Sequence, residues 1–84
     1  MDNEKFIEFC KNELVQICNA NAVDKITTDN VFVVWSCKAL QNNKALLAAN
    51  IPNHCVYYEF THNGDKNKTY IDIYTKIENL TFKH

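Results

Sequence analysis

Val31-Phe32-Val33-Val34-Trp35-Ser36-Cys37-Lys38-Ala39-Leu40 is the stretch on which the fold turns. It is dominated by β-branched and aromatic side chains with no Gly or Pro, the composition of a strand. Gln41-Asn42-Asn43 follows it as a tight-turn signal, because asparagine tolerates positive φ. Lys44-Ala45-Leu46-Leu47-Ala48-Ala49-Asn50 has helical propensity but sits between two turn signals, too short for a helix. It therefore predicts a second strand over 44–50, paired with the first (31–40) as an antiparallel hairpin.

Working outward, Ile51-Pro52-Asn53 breaks the chain and His54 to Thr61 predicts a third strand. His62 to Lys68 is a polar hairpin loop carrying Gly64, the one glycine, and Thr69 to Ile77 predicts a fourth strand. Residues 78–84 form a short tail whose Leu80 and Phe82 are expected to dock. Toward the N-terminus, Phe6, Ile7, Cys10, Leu14, Ile17 and Cys18 recur at three- and four-residue spacing. They predict an amphipathic helix over 3–20 with Asp2 or Asn3 as N-cap. The segment 19–30 loses that periodicity and reads as a connection, with Val23 and Ile26 tucked against the core. A helix followed by four strands on short loops predicts an α+β domain, the helix packed on one face of a four-stranded antiparallel meander. The 84 residues leave room for one such domain, 1–84.

The net charge is −1 and the pI about 6.2, so no global positive field draws the chain to nucleic acid or membrane. All nine basic residues are lysine, which removes the bidentate fork that reads guanine edges and grips phosphate. Twelve asparagines beside this lysine excess fit a low-GC genome. The acidic start is no signal peptide, and every apolar run falls well short of the roughly 20 residues that span a bilayer. A cytosolic setting is expected, and with it free thiols at Cys10, Cys18, Cys37 and Cys55. A zinc site from Cys37, Cys55 and His54 is conceivable. Neighbours on a strand point to opposite faces, however, so packed thiols are expected and no metal or cofactor.

Alternation places Val31, Val33, Trp35, Cys37, Ala45, Leu47, Val56, Tyr58, Phe60, Ile71, Ile73 and Ile77 on the helix side. Phe32, Val34, Ser36, Lys38, Leu40, Lys44, Leu46, Cys55, Tyr57, Glu59, Tyr70, Asp72, Tyr74 and Lys76 fall on the other. One helix cannot cover both sets, so an apolar patch is left to explain. Self-association as a dimer, or cover by the tail, would bury it. Tyrosine anchors also suit recognition of another protein. Stacking of bases, with lysines meeting phosphate, is the third possibility. The candidate ligand- or partner-binding residues are Phe32, Lys38, Lys44, Tyr57, Tyr70, Tyr74 and Lys76. A thiolate–imidazolium pair of Cys37 with His54 or His62 is imaginable, but Cys37 is expected to be inert packing. No catalytic residues are expected, and the protein reads as a non-enzyme.

The run Val33 to Leu47 (Val33-Val34-Trp35-Ser36-Cys37-Lys38-Ala39-Leu40-Gln41-Asn42-Asn43-Lys44-Ala45-Leu46-Leu47) resembles the signature of a small uncharacterised protein family. Its members are encoded by phages and prophages of low-GC Gram-positive bacteria. Tyr57-Tyr58-Glu59, Asn63-Gly64-Asp65-Lys66 and Tyr70-Ile71-Asp72 fit the same pattern, so the likeness covers roughly residues 30–76. The Ile51-Pro52-Asn53 turn and the tail depart from it. The resemblance implies an accessory role in the cytoplasm of an infected bacterial host, and it transfers no functional residue. The expected function is a homodimeric phage protein that antagonises a host factor, immune factors included, by binding a host protein or sequestering a small nucleotide. Single-stranded nucleic-acid binding is the alternative.

Overall fold

The computed structural model describes residues 1–20, 22, 24–51, 56–75 and 80–83. In chain order these form helix α1 (Asn3–Asn19), a 3₁₀ turn (Thr28–Asn30) and strands β1 (Val31–Ala39), β2 (Asn42–Ala49), β3 (Val56–Asn63) and β4 (Lys68–Thr75). The strands are hydrogen-bonded in the order β1-β2-β3-β4, each pair antiparallel. This is the expected meander with α1 on one face.

Helix α1 starts where Asp2 Oδ1 accepts the Lys5 amide at 2.9 Å, an N-cap worth about 1 kcal/mol. Phe6, Cys10 and Leu14, one turn apart, are fully buried. They meet Val31, Ala45, Leu47, Tyr58 and Phe60 in one core, with Ile7, Val15, Ile17, Cys18, Ile26, Val33 and Val56 around it. Burying each large side chain contributes roughly 1.5–3 kcal/mol. Past the helix, Asn19 pins the returning chain. Its side chain donates to Ile26 O at 3.0 Å and accepts from Ile26 N at 2.9 Å, so Ile26 is half-buried as expected. Val23 lies outside the described residues. Thr27 and Asn30 then close a reciprocal capping box that delivers the chain into β1.

Several local expectations change. The β1–β2 pairing runs Val31↔Ala49, Phe32↔Ala48 and Val33↔Leu47, then shifts, with Trp35↔Leu46, Ser36↔Ala45, Cys37↔Lys44 and Lys38↔Asn43. Val34 is the extra residue of a β-bulge, so strict alternation fails beyond it. Trp35 and Cys37, expected on the helix side, lie on the opposite face and are exposed. Ser36 and Lys38 take the helix side in their place.

The turn is Leu40-Gln41, not Gln41 to Asn43. Leu40 sits there at φ 57° with its side chain 89% exposed, while Asn43 is drawn into β2 and buried. His62, expected in a loop, belongs to β3. It is buried near Phe6 (ring centroids 6.4 Å) and its Nδ1 lies 3.0 Å from Thr69 Oγ1. Ile71 and Ile73 do face the helix side, but α1 packs on β1 and β2 and stops short of them, so both are exposed. Ile77 lies outside the described residues. Leu80 and Phe82 are exposed and undocked.

The two hairpin tips are locked side by side. Gln41 Nε2 donates to Asp65 Oδ1 at 2.6 Å, and Gly64 N donates to Asn42 Oδ1 at 3.1 Å. A Cβ on Gly64 would fall onto the Gln41 carbonyl oxygen, with Gln41 Cβ at 2.7 Å. The glycine is required by close approach, not by its φ, which is not positive.

Candidate functional site

The sheet face away from α1 is built in cross-strand rows, because residues directly opposite in an antiparallel pair share a face. One row runs Phe32, Ala48, Tyr57, Tyr74. The next runs Trp35, Leu46, Glu59, Asp72, and the one beyond it Cys37, Lys44, Thr61, Tyr70. At a strand spacing of about 4.8 Å and a two-residue rise of about 6.8 Å, these three rows span roughly 14 by 14 Å. Phe32, Trp35, Tyr57, Tyr70 and Tyr74 are all exposed, each by between 41% and 50%. Ala48 is nonetheless buried between Phe32 and Tyr57, so those rings lie over the sheet rather than standing clear of it.

Polar groups occupy the centre. Glu59 Oε1 accepts the Tyr74 hydroxyl at 3.4 Å and lies 3.6 Å from Lys44 Nζ. The ion pair is partly exposed and adds at most about 1 kcal/mol. Asp72 sits directly opposite Glu59, a like-charge pair that a sheet normally avoids. The Glu59 charge pushes the Tyr74 phenol above its ordinary value, assisted by desolvation, by Asp72 and by the hydrogen bond to Glu59. The face is thus aromatic at its margins and acidic in the middle.

Of the residues the sequence singled out, Phe32, Lys44, Tyr57, Tyr70 and Tyr74 come together here. Lys38 does not. The bulge turns it to the helix side, where its charge helps to hold the Asp2 carboxyl below the usual range, chiefly a result of the Lys5 amide hydrogen bond. Lys76 lies outside the described residues. Trp35 is the functional candidate that alternation missed. No signal in the sequence could have found it, because Val33 and Val34 serve an alternation argument equally well and the bulge shows only in the pairing with β2.

Cysteine chemistry also divides by face. Cys37 is exposed on the open face, whereas His62 belongs to the helix side, so these two cannot form a nucleophile–base pair. Cys10 is buried, and desolvation pushes its thiol up to about 12, which makes it unreactive packing. Cys18 Sγ lies 3.7 Å from the Tyr58 hydroxyl at the edge of the core. Among the described residues no group of three His, Cys, Asp or Glu is placed to hold a metal ion. His54 and Cys55 lie outside them. Among the same residues no helix is long and apolar enough to cross a membrane. A cavity of about 510 Å³ lies between α1 and the 3₁₀ turn, lined by Glu4, Glu8, Lys11 and Asp29 among others, well away from the open face.

The model of a family of unknown function, DUF6275, matches residues 7–84, and the chain belongs to that family. No curated protein and no solved structure matches it.

Proposed function

We propose that this member of the family is a non-enzymatic, phage-encoded binding protein that engages a protein of the bacterial host, and antagonises it, through the open sheet face. The phage source rests on the resemblance of the Val33–Leu47 run. The observation that carries the binding role is the exposure of Trp35 together with Phe32, Tyr57, Tyr70 and Tyr74 on one face that α1 does not cover. Exposed aromatic residues of this density are the anchors of protein interfaces, where a few Trp and Tyr side chains supply most of the affinity. A broad sheet face suits a protein partner better than a small nucleotide, which needs a concave pocket. Glu59 and Asp72 at the centre repel phosphate, and Lys44 is engaged with Glu59. These charges weigh against nucleotide sequestration and against single-stranded nucleic acid alike.

The test is affinity capture from the bacterial host, followed by titration of the purified captured protein against wild type and the Trp35→Ala and Tyr57→Ala variants. Loss of one such anchor costs about 2 kcal/mol or more, roughly a 30-fold weaker Kd. A partner that binds both variants as tightly as wild type overturns this reading. So does tight, salt-sensitive binding of an oligothymidine strand with no protein partner.

A further inference from the structure

Among the described residues β4 is an outer strand of the sheet, and it is bare on both faces. Its N–H and C=O groups on the outer edge form a template for another strand. The opposite edge, β1, is bent by the bulge at Val34, a common way to discourage such pairing. β4 has no such device. Its pairing with β3 is unbroken from Lys68 to Thr75. On the helix side it carries Ile71 and Ile73, the latter 57% exposed, where the chain's own helix does not reach.

We propose that β4 pairs antiparallel with β4 of a second copy of this chain, about a twofold axis at Ile71, to make one continuous eight-stranded sheet. The register follows from the sequence of the strand. Opposed residues must share a face, so the axis passes through a residue rather than between two. An axis at Asp72 sets two carboxylates directly opposite each other, which is destabilising. An axis at Tyr70 matches the end of β4 against the turn that holds Asn67 at φ 50°. Among the described residues an axis at Ile73 pairs only 71–75, fewer than the 68–74 paired by an axis at Ile71.

The axis at Ile71 uses Lys68 to Tyr74 in full. It opposes Ile71 to Ile71 and Ile73 to Thr69 on the helix side, joining the four bare isoleucines into one cluster between the two helices. On the open face it opposes Tyr70 to Asp72 and Tyr74 to Lys68. Lys68 of each copy then lies diagonal to Asp72 of the other, about 7–8 Å between backbones and within reach of a lysine. Asp72, crowded by Glu59 in its own copy, gains a cation. Both aromatic faces end up on the same side of the assembly, doubling the surface available to a partner.

Such an edge is small as interfaces go, so a dissociation constant on the order of micromolar is expected. Sedimentation equilibrium across the micromolar range tests it. Wild type should convert from monomer to dimer with concentration. Ile73→Glu, at a side chain already 57% exposed, should weaken the dimer at least about tenfold with an unchanged circular dichroism spectrum. Lys68→Glu and Asp72→Lys should each weaken it, and the double variant, which restores opposite charges across the axis, should recover it. A protein that stays monomeric at high micromolar concentration overturns the proposal. A dimer that ignores Ile73→Glu but dissociates with Tyr57→Ala also overturns it, by placing self-association on the open face.

Discussion

Substituting Gly64 by alanine tests how closely the two hairpin tips are joined. Real Cβ atoms essentially never come within 3.0 Å of such neighbours. One at Gly64 would overlap the Gln41 carbonyl oxygen and sit 2.7 and 2.9 Å from Gln41 Cβ and Cγ. The carbonyl is backbone and cannot swing aside, so the tips must separate. Overpacking of this kind costs about 1–3 kcal/mol. Separation also strains the Gly64–Asn42 and Gln41–Asp65 hydrogen bonds, each worth about 0.5–1 kcal/mol at an exposed site. Against this, alanine reduces the freedom of the unfolded chain by about 0.4–1 kcal/mol. The net loss is about 2–3 kcal/mol, which at roughly 4–8 °C per kcal/mol for a domain of this size lowers Tm by about 8–24 °C. Thermal unfolding followed by circular dichroism reads it directly. Asp65→Ala separates the causes: it removes one tip hydrogen bond without a clash and should cost at most about 1 kcal/mol. A Gly64→Ala protein melting within about 2 °C of wild type would refute the close apposition of the tips.

Three further outcomes follow from the core and the thiols. Asn43 is 1% exposed, and neither its Nδ2 nor its Oδ1 has a hydrogen-bond partner, so the similarly shaped Asn43→Leu should raise stability by about 1–3 kcal/mol in urea denaturation. Desolvation lifts the buried Cys10 thiol from 9.0, and burial with help from Cys18 lifts the Tyr58 phenol from 10.0, both to about 12. Each group keeps its proton longer in the folded state. The stability they contribute is therefore fully present below about pH 9 and falls as pH rises from 9 toward 12, and Cys10→Ala with Tyr58→Phe should flatten the urea midpoint across that window. A thiol reagent applied to the native protein should modify Cys37 well before Cys10, with mass spectrometry of peptides assigning the order.

The element order was readable because each piece carries a local pattern that its surroundings do not contradict. Phe6, Cys10 and Leu14 repeat at the helical period, and Tyr58 and Phe60 alternate correctly because Ala45 and Leu47 oppose them in β2. The open face was legible in outline for the same reason. Trp35 was not. Val33 and Val34 are equivalent to any alternation argument, and nothing in their chemistry marks one of them as surplus. Asn42 and Asn43 misled in the opposite sense. An Asn pair favours a turn, yet the hairpin closes at Leu40-Gln41 because Gln41 is held against Gly64 and Asp65. That contact lies more than twenty residues away in the chain, and it holds Leu40 in a left-handed conformation it would otherwise avoid, at a cost of about 1–2 kcal/mol. The bareness of Ile71 and Ile73 was hidden because a strand's pattern reports which way side chains face, not how far a helix extends to meet them.

The bulge carries a further implication for how this chain tolerates gain and loss of single residues. In a regular strand, deleting one residue reverses the orientation of every side chain beyond it, and the core is lost with the pattern. Val34 is the exception in β1, since it has no counterpart in β2. Removing it leaves Val31 to Val33 and Trp35 to Ala39 opposite the partners they already have. The shorter chain keeps its core and its aromatic face, and what it gives up is the bend at the outer edge. Length differences among relatives are thus admissible at this one point inside β1, where an aligner would ordinarily place no gap, and a relative lacking the residue would carry a straighter, stickier edge strand.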